Sequence, residues 1–357
     1  DALVIVTEWV QFRALDLHRL KAAMTQPIVV DLRNIYPPEE MQAAGFTYES
    51  IGALRAGIGV LAIGDHACRR IRSGGLTATI KAHGAELCSL KDGGGVEFVW
   101  QAEPAWPRHA PLLFPIVGRL ANDEMRHRGK TYRMTQHGFA RDSRFAWVER
   151  GENRCTLALE DSEATRALYP FAFRLTATYA IDAAGLDLSL TVANTGKETL
   201  PVSLGGHPAF NWPLQPGMSK ESYALTFTNE EPSPVRRVEG GLLLAATDPS
   251  PVRGTVLPLS ESLFTNDAVI LDPVNSHAVR YAAGQGAGPW LKMSWRGFRE
   301  LGVWSKPTGA PFLCIEPWRG YASPVGFDGE FSDKPGLMHI APGANEELSY
   351  RIEVGSS

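Results

Sequence analysis

The sequence predicts a mainly β protein, a large antiparallel β-sandwich with a small N-terminal α/β fragment. Three observations predict it. From about residue 69 onward, short runs alternate apolar and polar residues with the period of two that a half-buried strand requires. Gly, Asn and Asp turns separate those runs, and helical periodicity nearly vanishes. Residues 1–52 instead carry continuous apolar runs around a helical stretch, the order of a β-α-β unit whose strands are covered on both faces.

Within residues 1–52, Leu3–Val6 is the first apolar run, Asp16–Met24 the helical stretch and Ile28–Val30 the second run, after Pro27. Pro37-Pro38-Glu39-Glu40 opens a short helix, because proline is tolerated in a first turn and acids are favoured near the positive end of the helix dipole. Phe46–Ile51 is the last strand. Residues 53–68 hold Gly and Ala without periodicity and read as a linker. Residues 69–357 form the sandwich domain. There Phe145–Arg150 and Cys155–Glu160 meet at the corner Gly151–Arg154. Leu175, Ala177, Tyr179 and Ile181 face one way, as do Leu186, Leu188, Leu190 and Val192, with the loop Asp182–Gly185 between the two runs. So many hairpins in one stretch imply a sandwich.

Composition narrows the function. The chain has 357 residues, 44% of them apolar and 21% charged, with a net charge of −4, which offers no basic surface for nucleic acid or acidic lipid. The apolar run Ile58–Ile63 is far shorter than the roughly 20 residues that span a bilayer. Asp1–Val6 lacks a basic start and a small-residue cleavage site, so it reads as a strand and not as a secretion signal. Cys68, Cys88, Cys155 and Cys314 lie far apart, with no Cys-x-x-Cys pair, which argues against a zinc knuckle or a disulfide framework and for the reducing cytosol. No nucleotide or metal motif is present, so neither cofactor nor metal is expected.

Two segments each place a proton-transfer residue directly before a proline, His207 before Pro208 and Glu316 before Pro317. Proline biases its predecessor toward extended backbone, which predicts both residues at strand ends. Alternation puts Phe312, Cys314 and Glu316 on one face, where partial desolvation would raise the proton affinity of the carboxyl group. Taken alone, Glu316 is equally compatible with a strand-end carboxylate paired to a surface arginine, and His207 with a satisfied structural histidine. Gly205 and Gly206 let another chain or a ligand come close to His207. His137, in Gln136-His137-Gly138, sits at a predicted strand-to-loop corner, with a plain charged turn as the alternative. Arg119 ends the predicted apolar strand Ala110–Leu120 and offers several donors for sugar hydroxyls or a carboxylate, or is an exposed strand-end arginine. Asp267 could accept hydroxyl hydrogen bonds or simply form a turn.

The run from about Arg69 to Val354 resembles the aldose 1-epimerase (galactose mutarotase-like) family, in its bacterial LacX-like branch. The matching residues are Gly84–Leu87, Pro111–Leu120, Gln136–Arg141, Gly206–Phe210, Asn266–Ala268 and Cys314–Trp318, in the family's order. The resemblance implies a β-supersandwich that interconverts the α and β anomers of a free aldohexose without cofactor or metal. It implies Glu316 as general base, His207 as general acid, and His137, Arg119 and Asp267 as the residues that hold the sugar. Anomer exchange needs a proton taken from the anomeric hydroxyl and one given to the ring oxygen. Histidine suits the acid because it can be protonated near neutral pH, and glutamate suits the base if its site is partly dry. Trp212, Trp318 and Phe139 are candidates to stack on the sugar, or core residues. Arg319 departs from the branch, where an aromatic residue is expected. Two alternatives stay open. A hexose-6-phosphate epimerase would need Arg141, Arg144 and Arg319 to converge on a phosphate, and a carbohydrate-binding module would bind sugar without turnover.

Asp1–Trp9, Asp31–Tyr36 and Gly45–Tyr48 resemble the C-terminal end of the UDP-glucose/GDP-mannose dehydrogenase family. That family's glycine-rich turn and cysteine nucleophile lie upstream of this region, so no dehydrogenase activity is assigned, and the fragment reads as a fusion relic.

Overall fold

The computed structural model describes residues 2–5, 16–31, 36, 38–50, 68–284, 288–307 and 309–356. The chain divides into two compact units, Asp1–Leu61 and Ala62–Ser357. The expected linker over 53–68 lies outside the described residues except for Cys68, which opens the strand Cys68–Ser73.

In the first unit, strands Ala2–Ile5, Ile28–Asp31 and Thr47–Ser50 form a parallel sheet in chain order, as their continuous apolar runs predict. Helices Leu17–Ala22 and Pro38–Ala43 supply the connections. Ile5, Val29, Tyr36, Met41, Phe46 and Tyr48 make a small core. Asp31 is buried beneath it, and its carboxylate accepts the Tyr48 hydroxyl at 2.7 Å and the Tyr36 N–H at 3.2 Å.

The second unit is a β-supersandwich. One sheet has nine strands and runs, edge to edge, Ala146–Arg150, Arg154–Glu160, Phe173–Ile181, Gly185–Asn194, Asn345–Ser356, Pro289–Arg296, Ala278–Ala283, Tyr223–Phe227 and Val256–Pro258. The other runs Leu242–Asp248, Val235–Glu239, Val269–Leu271, Glu300–Trp304, Phe312–Arg319, Leu204–Gly206 and Leu112–Leu113, with Ala209–Asn211 also paired to Phe312–Arg319. Neighbouring strands in both sheets pair antiparallel. The predicted alternation holds at Leu175, Ala177, Tyr179 and Ile181 and at Leu186, Leu188, Leu190 and Val192, all of which enter one continuous core. Leu301, Val303, Leu313 and Ile315 of the second sheet enter the same core. Each such side chain, fully buried, contributes on the order of 1.5–3 kcal/mol, and together they fix which face of Phe312–Arg319 looks inward. Phe312, Cys314 and Trp318 therefore belong to separate apolar clusters on that strand's opposite face.

Two expectations about strands need correction. Glu316 lies inside the strand Phe312–Arg319, not at its end. Alternate residues of a strand send their N–H groups to the same neighbour, and the Ile315 N–H goes to the Pro208 carbonyl, so the missing N–H of Pro317 falls toward the gap between Leu204–Gly206 and Ala209–Asn211. No ladder bond is forfeited there. The segment Ala110–Leu120 is not one long strand either. Only Leu112–Leu113 forms a strand, paired with Gly205–Gly206, and Phe114 adds an isolated bridge to Gly138, because Pro111 and Pro115 cannot donate and Gly118 turns the chain at φ 71°.

Candidate active site

Sheet register brings the two proline-flanked residues together. Gly205 pairs with Trp318 and Ala209 with Cys314, so His207, midway between them, falls opposite Glu316. The imidazole Nε2 stands 3.2 Å from the carboxyl Oε2, and both residues are buried. The preceding glycines allow this approach. A Cβ on Gly206 would come within 2.6 Å of the Tyr350 ring, and one on Gly205 within 2.8 Å of Trp318. The His207 N–H donates to the Pro111 carbonyl at 3.0 Å, which fixes the backbone between the two short strands.

Burial sets the protonation of this pair. It pushes His207 down to about 3, with the cations of Arg141 and Arg108 adding to the effect. Burial also raises Glu316 well above the usual carboxylate range, and the nearby Asp267 carboxylate raises it further. Burial thus favours the neutral form of each partner, the imidazole on His207 and the protonated carboxyl on Glu316. This corrects the expectation of an imidazolium near neutral pH, since a dry pocket disfavours the charged form of either partner.

His137 lies beside the pair, its ring edge-on to His207 with centroids 5.5 Å apart. It adopts the left-handed conformation at φ 65°, where its N–H donates to the Gly118 carbonyl and its Nδ1 accepts the Gly118 N–H at 3.1 Å. Burial holds its ring neutral, so the ring proton sits on Nε2, poised as a donor. Gly138 follows because a Cβ there would meet the Phe114 carbonyl oxygen at 2.2 Å.

Asp267, also left-handed at φ 66°, accepts the Ala268 N–H at 2.7 Å and lines an open cavity of about 500 Å³. Trp304, whose ring is 5.8 Å from His207, lines the same cavity. Arg237 secures this wall by donating to the Ala268 carbonyl at 3.1 Å and pairing with Asp248 at 3.0 Å. Arg119 is placed differently. Its guanidinium is exposed and holds Asp123 at 2.6 Å, next to Gly118, which positions His137.

The aromatic neighbours of His207 are Trp106, stacked at 5.0 Å and 27°, and Trp304, edge-on at 85°. Neither figured among the sequence candidates. The signal available was Pro104-Ala105-Trp106-Pro107, a tryptophan held between prolines in a stretch that cannot join a ladder. Trp212, Phe139 and Trp318 are all buried core residues. Among the possible phosphate ligands, Arg141 adjoins both histidines, Arg144 is exposed beside a bridge to His83, and Arg319 falls on the face of its strand opposite Glu316. The three do not converge. Cys314 does join the pair. One ligand atom each of His207, Cys314 and Glu316 lies within 4.8 Å of the others. The four cysteines are free thiols, and among the described residues no helix is long and apolar enough to cross a membrane.

Comparison with known proteins assigns both parts of the chain. Residues 1–38 match the UDP binding domain of the UDP-glucose/GDP-mannose dehydrogenase family. Over 52 residues the chain is 62% identical to the UDP-glucose 6-dehydrogenase of Rhizobium meliloti, a match that covers 15% of this chain but only 12% of that enzyme. Residues 68–335 match the family described as aldose 1-epimerase. Protein LacX of Lactococcus lactis subsp. lactis is 33% identical over 289 residues, covering 78% of this chain and 96% of LacX. The X-ray structure of a galactose mutarotase related enzyme from Lactobacillus acidophilus superposes with a TM-score of 0.75 at 33% identity, covering 81% of this chain and 97% of that one. By the extent of these matches and the fold they share, the chain belongs to the aldose 1-epimerase family.

Proposed function

We propose that this protein is a mutarotase that interconverts the α and β anomers of a free aldohexose by acid–base ring opening. The observation that carries this reading is the buried His207–Glu316 contact of 3.2 Å. In a pyranose the ring oxygen and the anomeric hydroxyl share one carbon, so the acid and base that serve them must stand close together.

The sugar enters edge-on from the side of Asp267 and Trp304. As its hydroxyls take up the polar groups of the site, the shared proton crosses from Glu316 to His207. The carboxylate then takes the proton of the anomeric hydroxyl while the imidazolium gives its own to the ring oxygen. The bond between C1 and the ring oxygen breaks and a free aldehyde forms. At this stage His207 is neutral and Glu316 protonated, the same forms that burial favours in the empty site, so the dry pocket stabilises the open-chain intermediate. Rotation about C1–C2 and reclosure return both protons and give the other anomer. The His137 Nε2–H and the Asp267 carboxylate are placed to hold ring hydroxyls, and Trp106 or Trp304 to cover an apolar sugar face. A free sugar is favoured over a hexose 6-phosphate because Arg319 faces away from the pair.

Polarimetry on freshly dissolved α-glucose and α-galactose tests the reading. Catalysed anomer exchange is expected, with Glu316→Gln slower by about 10²–10⁴-fold, the usual contribution of a positioned acid or base. Undiminished exchange in Glu316→Gln overturns the role of Glu316, and no exchange with any aldose overturns the activity.

A further inference from the structure

We propose that His207, Cys314 and Glu316 form a binding site for a thiophilic divalent cation such as Zn²⁺, which silences the acid–base pair by taking both its members as ligands. Ring opening as described above makes no use of Cys314, yet this thiol lies fully buried in the centre of the site. Strand alternation places it on the Glu316 face two residues away, and the register that sets His207 opposite Glu316 completes the triangle. All three ligand atoms lie within 4.8 Å of one another. Tetrahedral zinc bonded to N, O and S holds its ligand atoms about 3.3–3.6 Å apart, so side-chain rotations closing the triangle by roughly 1 Å suffice.

Two further observations point to a ligand. Glu316 Oε2 is buried without a hydrogen-bond partner, despite facing His207 at 3.2 Å. Buried polar atoms in that state are uncommon and call for an occupant. Charge is also balanced, since one thiolate, one carboxylate and one neutral imidazole offset a dication and spare the cost of burying net charge. The metal displaces the thiol and carboxyl protons to bulk water, with no change of oxidation state.

Titrating the full chain with Co²⁺ in the absence of oxygen reads the site without reference to activity. One equivalent is expected to give a thiolate-to-cobalt band in the near ultraviolet, bleached when Zn²⁺ displaces the cobalt and absent in both Cys314→Ala and Cys314→Ser. If the alanine variant fails to fold, the serine variant carries the test. No band in the native chain, or a band kept by the folded variants, overturns the proposal. The inhibitory consequence rests on the mutarotase reading and is measured separately. Zn²⁺ is expected to slow anomer exchange in a manner reversed by a chelator, with its effective concentration raised in Cys314→Ser by at least about tenfold, the lower end of the loss seen when even an outer partner of a metal ligand is removed. Equal zinc sensitivity in the two proteins overturns the role of Cys314. A chain that binds cobalt but exchanges no anomers overturns the mutarotase reading and leaves the metal site standing.

Discussion

At Glu316 and His207, burial decides where the shared proton rests, and that has a measurable consequence. As burial favours it, and on the mutarotase reading proposed above, the pair carries one proton in the free protein. It gains a second only below the His207 value of about 3 and loses the first only above the raised value of Glu316. The kcat/KM for anomer exchange is therefore expected to hold as pH falls from 7 to about 4, through the ordinary carboxylate value of about 4.3, and to decline on the alkaline side. An acid limb with its midpoint near that ordinary value would show that Glu316 titrates as a solvated carboxylate. The sequence exposed the types of these residues and their proline partners. It could not expose their protonation, because desolvation comes from segments such as Pro104–Pro107 that lie far away along the chain.

Among the strands, the decisive element is the break between Leu204–Gly206 and Ala209–Asn211. It leaves His207 outside the ladder and spares Pro317 a donor it does not have. Gly206 keeps the break tight against Tyr350, a buried ring. Gly206→Ala is expected to cost about 1–3 kcal/mol through overpacking, seen as a lower thermal midpoint, and to slow exchange because His207 is the next residue. An unchanged midpoint and rate would mean that Tyr350 has room to move. Local pattern revealed the long hairpin Phe173–Asn194 well, since every second side chain is apolar. It failed at Ala110–Leu120, where an apolar run looks extended yet its prolines and Gly118 prevent pairing. It also set Glu316 at a strand end, because the tolerance for Pro317 depends on a gap in the neighbouring strand.

On the scale of the molecule, the unit Ala62–Ser357 owns a continuous two-sheet core, whereas Asp1–Leu61 has a small core on an open three-stranded sheet. Removing residues 1–61 is expected to leave the main thermal transition and the exchange rate of the remainder unchanged, which calorimetry and polarimetry can check. An insoluble remainder, or one that melts much earlier, would show that the first unit supports the second. The sequence by itself determined the two kinds of chain grammar, the antiparallel hairpins and the chemical types in the site, because strand period, turn residues and proline restrictions act between near neighbours. Only the tertiary structure decided that His207 meets Glu316 in a buried contact, that Cys314 joins them, that Trp106 and Trp304 flank the histidine, and that Arg119 spends its charge on Asp123. Those outcomes depend on sheet register and on exclusion of water by distant segments, and no local pattern of residues encodes either.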